Sequence, residues 1–379
     1  MYNLDVMYIF PNVPEPRNEN IVNIVKKKYK TGIMFWKKNP KQKAYQFEGC
    51  SVYEIQVKAN DCNPLARLIP TAQYYKKALK ILEEKNPKCI HVSKVDSMYL
   101  VWRYWKKAEE KPHIIYDISD LHTLAYNDEK NLVKILIRDT LWKIEKKISQ
   151  CVDYILLTSL KFYDEYYNDF YNQTQVIFVP NAPDTSCFDG FKKKKSGPFT
   201  IGFIGSVRYF NQIKDLIDAA NETGVNVFIA GSGEDEQRLR DYAKEMSYVQ
   251  FYGKYNYFEE IRKLYENIDC VYALYDTSIK NVRIALPNKL YEGAYCGLPF
   301  IASKGVYVAE IIEKYGFGVS AEDGNKTDLI NAINKIKDID SEQVFQGCRR
   351  FCEANLFIDA SKKLIEIYTK LVDFGLYNK

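Results

Sequence analysis

Short apolar runs, rich in β-branched and aromatic residues, alternate along the chain with longer stretches in which apolar residues recur every three or four positions. The short runs predict strands and the longer stretches predict amphipathic helices, an alternation typical of βαβ units with a parallel sheet. Strands are predicted near residues 4–10, 31–36, 51–57, 89–92, 113–118, 153–158 and 176–179, and again near 199–204, 226–230, 248–252, 269–275, 299–303 and 316–320. The pattern therefore predicts an α/β protein with two doubly wound parallel-sheet, Rossmann-like domains.

A cluster of turn residues and like charges separates the two halves of the pattern. The segment 180–184, Pro-Asn-Ala-Pro-Asp, precedes four consecutive lysines at 192–195. Such a composition is typical of a linker, so we predict an N-terminal domain at 1–183 and a C-terminal domain at 184–355. A last amphipathic stretch, about 356–379, is expected to pack back on the first domain. Two such domains facing one another would place the ligand site in the cleft between their strand ends.

Composition and cysteine content are those of a folded protein in a reducing compartment. Of the 379 residues, 46% are apolar, 15% aromatic and 27% charged, which permits a full core in each domain. The nine cysteines include no Cys-x-x-Cys pair, so neither a disulfide framework nor a zinc ribbon is expected. Neither a signal peptide nor a spanning helix is predicted, because charges such as Asp5 interrupt the apolar runs. We expect a cytoplasmic protein, at most peripheral on the inner face of a membrane.

Positive charge is concentrated in the first half of the chain. Residues 1–180 hold 28 basic against 21 acidic side chains, and the segment 21–111 alone holds 20 against 8. This excess favours an anionic membrane or a diphosphate as a partner, although lysines on outer helix faces are commonly just solvated. The segment 99–107 mixes aromatic and basic residues as membrane-interface segments do, but burial against a sheet also explains it. Nucleic acid is not an expected partner, since no docking motif accompanies the charge.

Several common chemistries lack their sequence signatures. The chain contains no Gly-x-Gly-x-x-Gly after a strand, no Gly-Lys-Ser/Thr phosphate loop and no His-Glu-x-x-His. Its three histidines, His91, His113 and His122, would nearly all have to converge to form a metal site, which the predicted strands do not favour. We therefore expect no resident metal and no cofactor.

The turn after the eighth predicted strand has the composition of a phosphate site. Gly205 and Arg208 lie in this turn, and Asn211 is placed to cap the helix that follows. Lys214 lies in the first turn of that helix, where a cation opposes the helix dipole at a cost of roughly 0.3–1 kcal/mol unless an anion binds. Arg208, Lys214 and the free helix amides are therefore expected to hold a diphosphate. Screening of Lys214 by Asp215 and solvent explains the pattern equally well.

A second candidate site lies on the short helix predicted between Pro287 and Gly297. Glu292 lies near its first turns, where the helix dipole stabilises a carboxylate that can accept hydrogen bonds from two adjacent hydroxyls, such as those of a ribose. Lys289 precedes it by three residues on the same helix. The alternative is an ordinary exposed ion pair. The small residue Gly293 argues against that alternative, because it permits close approach of the backbone to a ligand.

A third candidate is the turn 231–234, Gly-Ser-Gly-Glu, which follows the ninth predicted strand. Gly253 and Lys254 follow the tenth strand in the same way. Turns of this composition commonly just begin a helix. Their place at the carboxyl ends of neighbouring strands nevertheless predicts that they frame a nucleobase beside the other two sites.

The run 199–305 resembles the donor-binding half of a family 4 glycosyltransferase of the GT-B fold. The resemblance is carried by Phe203-Ile-Gly205, Lys214-Asp-Leu-Ile217, Gly231-Ser-Gly-Glu234 and Pro287-Asn-Lys-Leu-Tyr-Glu-Gly-Ala-Tyr-Cys-Gly-Leu-Pro-Phe-Ile-Ala-Ser303, in the family's order. The first half resembles it more loosely, through Pro16-Arg17 and the segments 91–96, 115–121 and 179–181. The resemblance thus extends over nearly the whole chain.

The resemblance implies a set of donor-binding residues. Arg208 and Lys214 would bind the diphosphate of a nucleotide sugar, and Glu292 would bind its ribose. The full set at matching positions is Gly205, Arg208, Lys214, Gly231, Lys254, Asn288, Lys289, Leu290 and Glu292. The family often has another glutamate eight residues before the second one, where this chain has Ile284. We expect Lys289 to compensate for that difference.

The resemblance further implies a hexosyl transfer from a UDP- or GDP-sugar to a hydroxyl of a saccharide or lipid-diphosphate-linked saccharide. Retention of the anomeric configuration and a role in bacterial surface polysaccharides, such as capsule, belong to the same expectation. Arg208 and Lys214 would act catalytically by stabilising charge on the leaving diphosphate. Asp120 and His122, after a first-domain strand, are candidates for moving a proton, although such residues are more often loop caps.

Two other functions agree with the same motifs. A nucleotide-sugar epimerase of this fold would alter its donor without an acceptor, and a non-catalytic nucleotide-sugar sensor or scaffold would bind it without turnover. The sequence does not decide between uridine and guanosine donors, nor does it determine the sugar, the linkage or the oligomeric state.

Overall fold

The strands of the protein pair in parallel and form two separate sheets. A computed structural model describes residues 3–41, 43–59, 65–121, 132–194, 197–355 and 357–375. The chain divides into two units, the first built from Met1–Pro180 with Ile358–Lys379 and the second from Asn181–Phe357.

The first unit contains a seven-stranded sheet in the order β3-β2-β1-β4-β5-β6-β7. The strands are β1 (Leu4–Phe10), β2 (Thr31–Lys37), β3 (Ser51–Gln56), β4 (Pro87–Ser93), β5 (His113–Ile118), β6 (Tyr154–Leu157) and β7 (Val176–Phe178). The helices between them are α1 (Pro16–Val25), α2 (Leu68–Lys85), α3 (Val95–Lys107) and α4 (Leu132–Ile148). The order reverses between β1 and β4, as in doubly wound folds.

The second unit repeats this topology with six strands in the order β10-β9-β8-β11-β12-β13. The strands are β8 (Thr200–Ile204), β9 (Asn226–Ala230), β10 (Val249–Gly253), β11 (Cys270–Ala273), β12 (Phe300–Ser303) and β13 (Gly318–Ala321). The helices are α5 (Phe210–Thr223), α6 (Glu236–Tyr242), α7 (Tyr257–Glu266), α8 (Lys280–Ile284), α9 (Asn288–Tyr295), α10 (Tyr307–Tyr315), α11 (Lys326–Lys337) and α12 (Ser341–Asn355). Its order reverses between β8 and β11.

The predicted fold class is confirmed by this arrangement. Every strand predicted from the apolar runs is present, with bounds that differ by at most two residues. The second sheet is covered on both faces, because neighbouring residues of one strand, such as Phe203 and Ile204, enter two different apolar clusters. Parallel strands buried on both faces require continuous apolar runs, which is the pattern that the sequence shows.

The chain ends in helix α13 (Phe357–Tyr368) and a wider turn over Thr369–Asp373, both part of the first unit. Tyr368 places its hydroxyl 3.0 Å from that of Tyr8 and 2.5 Å from Nδ1 of His91. Asp373 accepts hydrogen bonds from Lys28 and Tyr29 at the surface. The last segment is therefore held by one buried and one exposed set of polar contacts.

The buried contacts of Tyr368 continue into an ion pair beneath it. His91 Nε2 lies 3.4 Å from Oδ2 of Asp117, and Nη1 of Arg17 donates to the same oxygen at 2.5 Å. Burial alone would raise the pKa of Asp117, but Arg17 and His91 lower this pKa to about 2. This carboxylate therefore stabilises the fold at neutral pH, and its contribution is lost as the pH falls from about 4 towards 2.

Tyr368→Phe is expected to lower the free energy of unfolding by about 1–3 kcal/mol, because His91 and Tyr8 lose a buried hydrogen-bond partner. Urea-induced unfolding measures this loss. Lys28→Gln is the comparison, since it removes only the exposed contacts of Lys28 with Asp373 and Thr369 and should cost clearly less than Tyr368→Phe. Equal losses in the two variants would contradict the idea that the buried hydroxyl anchors the segment.

The aromatic and basic segment 99–107 lies within α3. Leu100, Val101 and Tyr104 are buried, whereas Lys106 lies with its Nζ 4.8 Å from the centre of the Trp102 ring. The helix thus packs on the fold along one face and exposes basic residues on another. Within the described ranges, no helix combines the length and apolar character needed to cross a membrane.

Candidate functional site

Glycine turns lie side by side at the carboxyl edge of the second sheet. The Gly205 amide, after β8, donates to the carbonyl of Ala230 at 2.9 Å, and the Gly231 amide, after β9, donates to the carbonyl of Gly253 at 2.8 Å. Gly205 and Gly231 have φ angles of +141° and +131°, which other residues adopt only with strain. These turns gather at one edge because the strands are parallel, and that edge is where ligands of doubly wound folds bind.

The connection from β9 to α6 holds the first of these turns in place. The Asp235 amide donates to the carbonyl of Val207 at 3.1 Å, and Oδ2 of Asp235 accepts from the Phe210 amide at 3.1 Å. Asp235 therefore satisfies the first amide of α5. The predicted capping role of Asn211 is wrong, because α5 already begins at Phe210 and Asn211 lies exposed inside its first turn.

Lys289 lies on α9, and its side chain reaches this edge of the sheet at the point where the strand order reverses. Its Nζ lies 3.8 Å from the centre of the Phe203 ring on β8 and 5.1 Å from that of Tyr275, just after β11. A Cβ built on Gly205 would lie 3.8 Å from the same nitrogen. The ammonium group is thus enclosed by aromatic rings and a glycine turn at the topological switch point of the sheet.

The position of Lys289 is electrostatically costly. Its side chain is only 7% exposed, and in the described part of the chain no carboxylate lies within ion-pair distance of it. Burial, assisted by the charge of Arg208 and opposed by Glu292, lowers the pKa of Lys289 to about 7. A buried cation without a paired anion is favourable for binding an anionic ligand, since the ligand would supply the missing charge.

Glu292 lies one helical turn beyond Lys289 and is 4% exposed. Its Oε1 accepts from the Tyr257 hydroxyl at 2.7 Å, and its Oε2 accepts from the Tyr265 hydroxyl at 2.7 Å. Burial raises the pKa of Glu292, while the two hydroxyls and Lys289 act in the opposite direction. The predicted alternative of an exposed Glu and Lys pair is wrong, because both side chains are buried.

Gly293, next to Glu292, has a different role from the one predicted. A Cβ on this residue would lie 2.5 Å from Cζ of Phe300 and 2.7 Å from Cγ2 of Val271. The glycine is therefore required for close packing of α9 on β11 and β12, within the core. It gives no indication of a ligand at the helix backbone.

The other residues predicted to bind a donor differ in their surroundings. Arg208 and Lys254 are exposed in the turns after β8 and β10, and Asn288 is exposed as the first residue of α9. Leu290 is fully buried in the apolar cluster under α9. Its side chain belongs to the core, and its role in donor binding stays a prediction.

Lys214 forms an ion pair that the sequence did not predict. Its Nζ lies 2.6 Å from Oδ2 of Asp218, one turn further along α5, and Tyr242 donates to the other oxygen of Asp218 at 2.5 Å. The bond to Asp218 raises the pKa of Lys214. The predicted screening partner, Asp215, is also replaced by Asp218, because residues four apart on a helix face each other.

The catalytic candidates of the first half lie in the first unit. Asp120 is exposed two residues after β5, and His122 lies outside the described residues. The structure instead concentrates polar groups at Arg17, His91 and Asp117, which the sequence did not single out as a cluster. Within the described residues, no group of three or more His, Cys, Asp and Glu side chains has an arrangement that could hold a metal ion.

Sequence reasoning missed the aromatic surroundings of the site. Tyr257 and Tyr265 lie at opposite ends of α7, and neither follows a motif. Phe203 and Tyr275 read as ordinary strand residues. The one available signal was the unusual tyrosine content of 31 in 379 residues, which does not say where tyrosines cluster.

Two of the comparisons with known proteins found matches. Residues 188–346 match the model of the family described as glycosyl transferases group 1. A search of curated protein sequences found no match. The matched region contains the glycine turns, Lys289 and Glu292.

Solved structures similar to this chain share its whole architecture. Sucrose-phosphate synthase from Thermosynechococcus elongatus superposes with a TM-score of 0.76 at 13% identity, covering 98% of this chain and 99% of that chain. HepE of Anabaena in complex with UDP gives 0.72 at 12%, covering 97% and 100%. WaaG, a glycosyltransferase involved in lipopolysaccharide biosynthesis, gives 0.68 at 12%, covering 96% and 99%. The chain therefore has the GT-B fold, and its residues 188–346 match the family model of glycosyl transferases group 1.

Proposed function

We propose that the protein transfers a hexosyl group from a nucleoside diphosphate sugar to a hydroxyl of a saccharide or lipid-linked saccharide, with retention at the anomeric carbon. The observation that carries the proposal is the buried, unpaired ammonium of Lys289 at the switch point of the second sheet, one helical turn from the buried carboxylate of Glu292. A cation site and a diol site at this spacing suit the diphosphate and the ribose of one nucleotide.

The diphosphate would lie against the turn that follows β8. Lys289 and Arg208 supply positive charge there, and the backbone of Gly205 lacks a side chain that would obstruct an approaching phosphate. The turns at Gly231 and Lys254 would frame the nucleobase. Lys214 is a secondary contributor in this proposal, because binding a phosphate would require it to leave or share Asp218.

The same cations would promote the reaction. The bond between the sugar and the diphosphate of the donor breaks through an oxocarbenium-like transition state, which transfers negative charge to the departing diphosphate. Fixed cations near that diphosphate stabilise the transition state more than the ground state, because the charge develops there. We propose on this ground that Lys289 and Arg208 do this without a divalent metal ion.

The acceptor and the cellular setting are proposed by analogy with the matched structures. They include a complex with UDP and an enzyme of lipopolysaccharide biosynthesis. We propose a UDP- or GDP-sugar as donor and a lipid-diphosphate-linked saccharide of a bacterial surface polysaccharide, such as capsule, as acceptor. The basic excess of residues 21–111 would favour contact with an anionic membrane surface.

A thermal-shift screen tests the proposed donor site. UDP or GDP at a concentration about a hundred times its Kd is expected to stabilise the native protein by about 3 kcal/mol, with EDTA present. The nucleosides uridine and guanosine serve as controls, and they should stabilise less because they lack the diphosphate. A protein whose melting temperature responds to none of these compounds would contradict the proposal.

Analysis of products from a radiolabelled donor then tests the reaction. A labelled saccharide or glycolipid supports transfer, with retention read from the anomeric configuration of the product. Release of an altered free sugar would indicate an epimerase instead. Tight binding without any turnover on lipid extracts would indicate a nucleotide-sugar sensor or scaffold.

A further inference from the structure

Both oxygens of the Glu292 carboxylate are already engaged by hydroxyl groups of α7. Tyr257 and Tyr265 each donate one hydrogen bond of 2.7 Å, to Oε1 and to Oε2 respectively. Tyr265 is fully buried and Tyr257 is half-buried. The two tyrosines lie eight residues apart, about 12 Å along the helix axis, so the carboxylate is held from two directions.

The two hydrogen bonds leave Glu292 able to accept only a limited number of further hydrogen bonds. An ionised carboxylate has about four lone-pair positions, of which the tyrosines use two. The remaining positions are one on each oxygen, which matches the two adjacent hydroxyls of a ribose. A deoxyribose presents one hydroxyl fewer, and one of these positions would then stay unsatisfied in a buried site.

The tyrosines also affect the pKa of Glu292. Burial raises the pKa of this carboxyl, and hydrogen bonds from Tyr257 and Tyr265 oppose that effect, as does Lys289. Other titratable groups close enough to be affected by its charge are Cys187, Tyr255, Tyr275 and Cys296. None of these four is cationic, so the hydroxyl donors and Lys289 are the groups that oppose the effect of burial on this pKa.

We propose that Tyr257 and Tyr265 are positioning residues for nucleoside recognition, which orient the Glu292 carboxylate towards the 2′- and 3′-hydroxyls of a ribose and thereby select ribonucleotides over 2′-deoxyribonucleotides. The inference rests on the proposed function, because it requires a nucleotide in this site. It adds the residues that determine selectivity for ribose over deoxyribose. Neither tyrosine would contact the ribose itself.

Isothermal titration calorimetry of the full chain tests the proposal with UDP and 2′-deoxy-UDP, and in parallel with GDP and 2′-deoxy-GDP. The wild type is expected to prefer the ribonucleotide by about tenfold or more, the value of one hydrogen bond to a charged group. Tyr257→Phe and Tyr265→Phe are each expected to weaken ribonucleotide binding several-fold and to reduce the preference to about threefold or less. Tyr248→Phe is the matched control, since its hydroxyl donates to the Met246 sulfur and not to Glu292.

A pH series provides a readout that a purely structural role would not change. Ribonucleotide affinity should fall as the pH drops and Glu292 becomes protonated. In the two phenylalanine variants this fall should occur at higher pH, because the loss of a hydroxyl donor raises the pKa of Glu292. Should Tyr265→Phe not fold, the half-buried Tyr257→Phe still provides the comparison.

The outcomes separate this inference from the proposed function. Equal losses for UDP and 2′-deoxy-UDP, with an unchanged pH profile, would overturn the positioning role while leaving the nucleotide site intact. A wild type that binds both nucleotides equally well would also overturn it. A wild type that binds none of the four nucleotides would overturn the proposed function, and the inference with it.

Discussion

Replacing Lys289 with methionine is expected to make the free protein more stable and, at the same time, to weaken its binding of nucleoside diphosphates. The stability gain follows from burial, which lowers the pKa of Lys289 from 10.5 to about 7. A shift of that size corresponds to a cost on the order of 5 kcal/mol for holding the charge in the folded state. Methionine fills a similar volume next to Phe203 and Tyr275 and carries no charge to desolvate.

The pH dependence of this gain has a definite sign. Above pH 10.5 the lysine is neutral in both the folded and the unfolded protein, so it costs nothing. As the pH falls from 10.5 to about 7, the unfolded chain takes up a proton that the folded protein does not, and the wild type becomes progressively less stable than Lys289→Met. The difference between the two proteins should therefore be largest below about pH 7 and vanish near pH 10.5.

Whereas stability is expected to rise in Lys289→Met, affinity for the nucleotide is expected to fall. A charged hydrogen bond to the diphosphate is worth about 1.5–3 kcal/mol, so the Kd for UDP or GDP should rise roughly 10- to 150-fold in Lys289→Met. Binding to the wild type should also weaken as the pH rises above about 7, because the lysine must then take up a proton to meet the phosphate. The methionine variant should lack this pH dependence.

Denaturation curves and calorimetry over a pH series measure both effects in the same proteins. Lys244→Met is the matched control, because Lys244 is exposed and should change neither stability nor affinity. A Lys289→Met variant that is destabilised, or that binds UDP and GDP like the wild type, would refute the view of Lys289 as a buried cation awaiting a phosphate.

Gly231→Ala is expected to destabilise the second unit by about 4 kcal/mol or more, and to abolish nucleotide binding with it. The new Cβ would lie 1.8 Å from the carbonyl oxygen of Gly205, an overlap that backbone atoms cannot relieve locally. The φ of +131° at Gly231 adds conformational strain of about 1–3 kcal/mol for a residue with a side chain. The turns after β8 and β9 would have to separate.

Variants at two other glycines separate the steric conflict from the backbone strain. Gly233→Ala introduces only a steric conflict, since its φ is ordinary and its Cβ would lie 2.2 Å from the carbonyl oxygen of Val207. Gly224→Ala introduces only backbone strain, since its φ is +65° and nothing lies within 4 Å of the new atom. Unfolding curves should rank the losses as Gly231→Ala largest and Gly224→Ala smallest, at about 1–2 kcal/mol. A Gly231→Ala loss no larger than that of Gly224→Ala would mean that the two turns can move apart freely.

Much of the fold followed from periodicity. Strands such as β1 and β8 were predicted because two-sided burial demands uninterrupted apolar residues, and that demand acts on each short segment separately. Helix starts were harder to predict. Asn211 was interpreted as a cap because capping was sought in the neighbouring sequence, whereas Asp235 supplies the carboxylate from another connection.

The candidate site was predicted unevenly, for a similar reason. Lys289 and Glu292 were correctly placed on one helix, and a spacing of three residues puts them on the same face. Lys214 was predicted either to bind a phosphate or to be screened by Asp215, whereas it pairs with Asp218, and Leu290 was predicted to bind the donor although it belongs to the core. The roles of both residues in donor binding remain predictions.

By itself the sequence determined the strand positions, the repeated doubly wound topology and the glycine turns at one sheet edge, since each depends on residues close together in the chain. Tertiary structure alone decided that Lys289 is buried against aromatic rings without an ion-pair carboxylate among the described residues, and that Tyr257 and Tyr265 reach Glu292 from another helix. The physical reason is that burial and charge pairing depend on groups brought together across the fold, and their energies grow as water is excluded from between them.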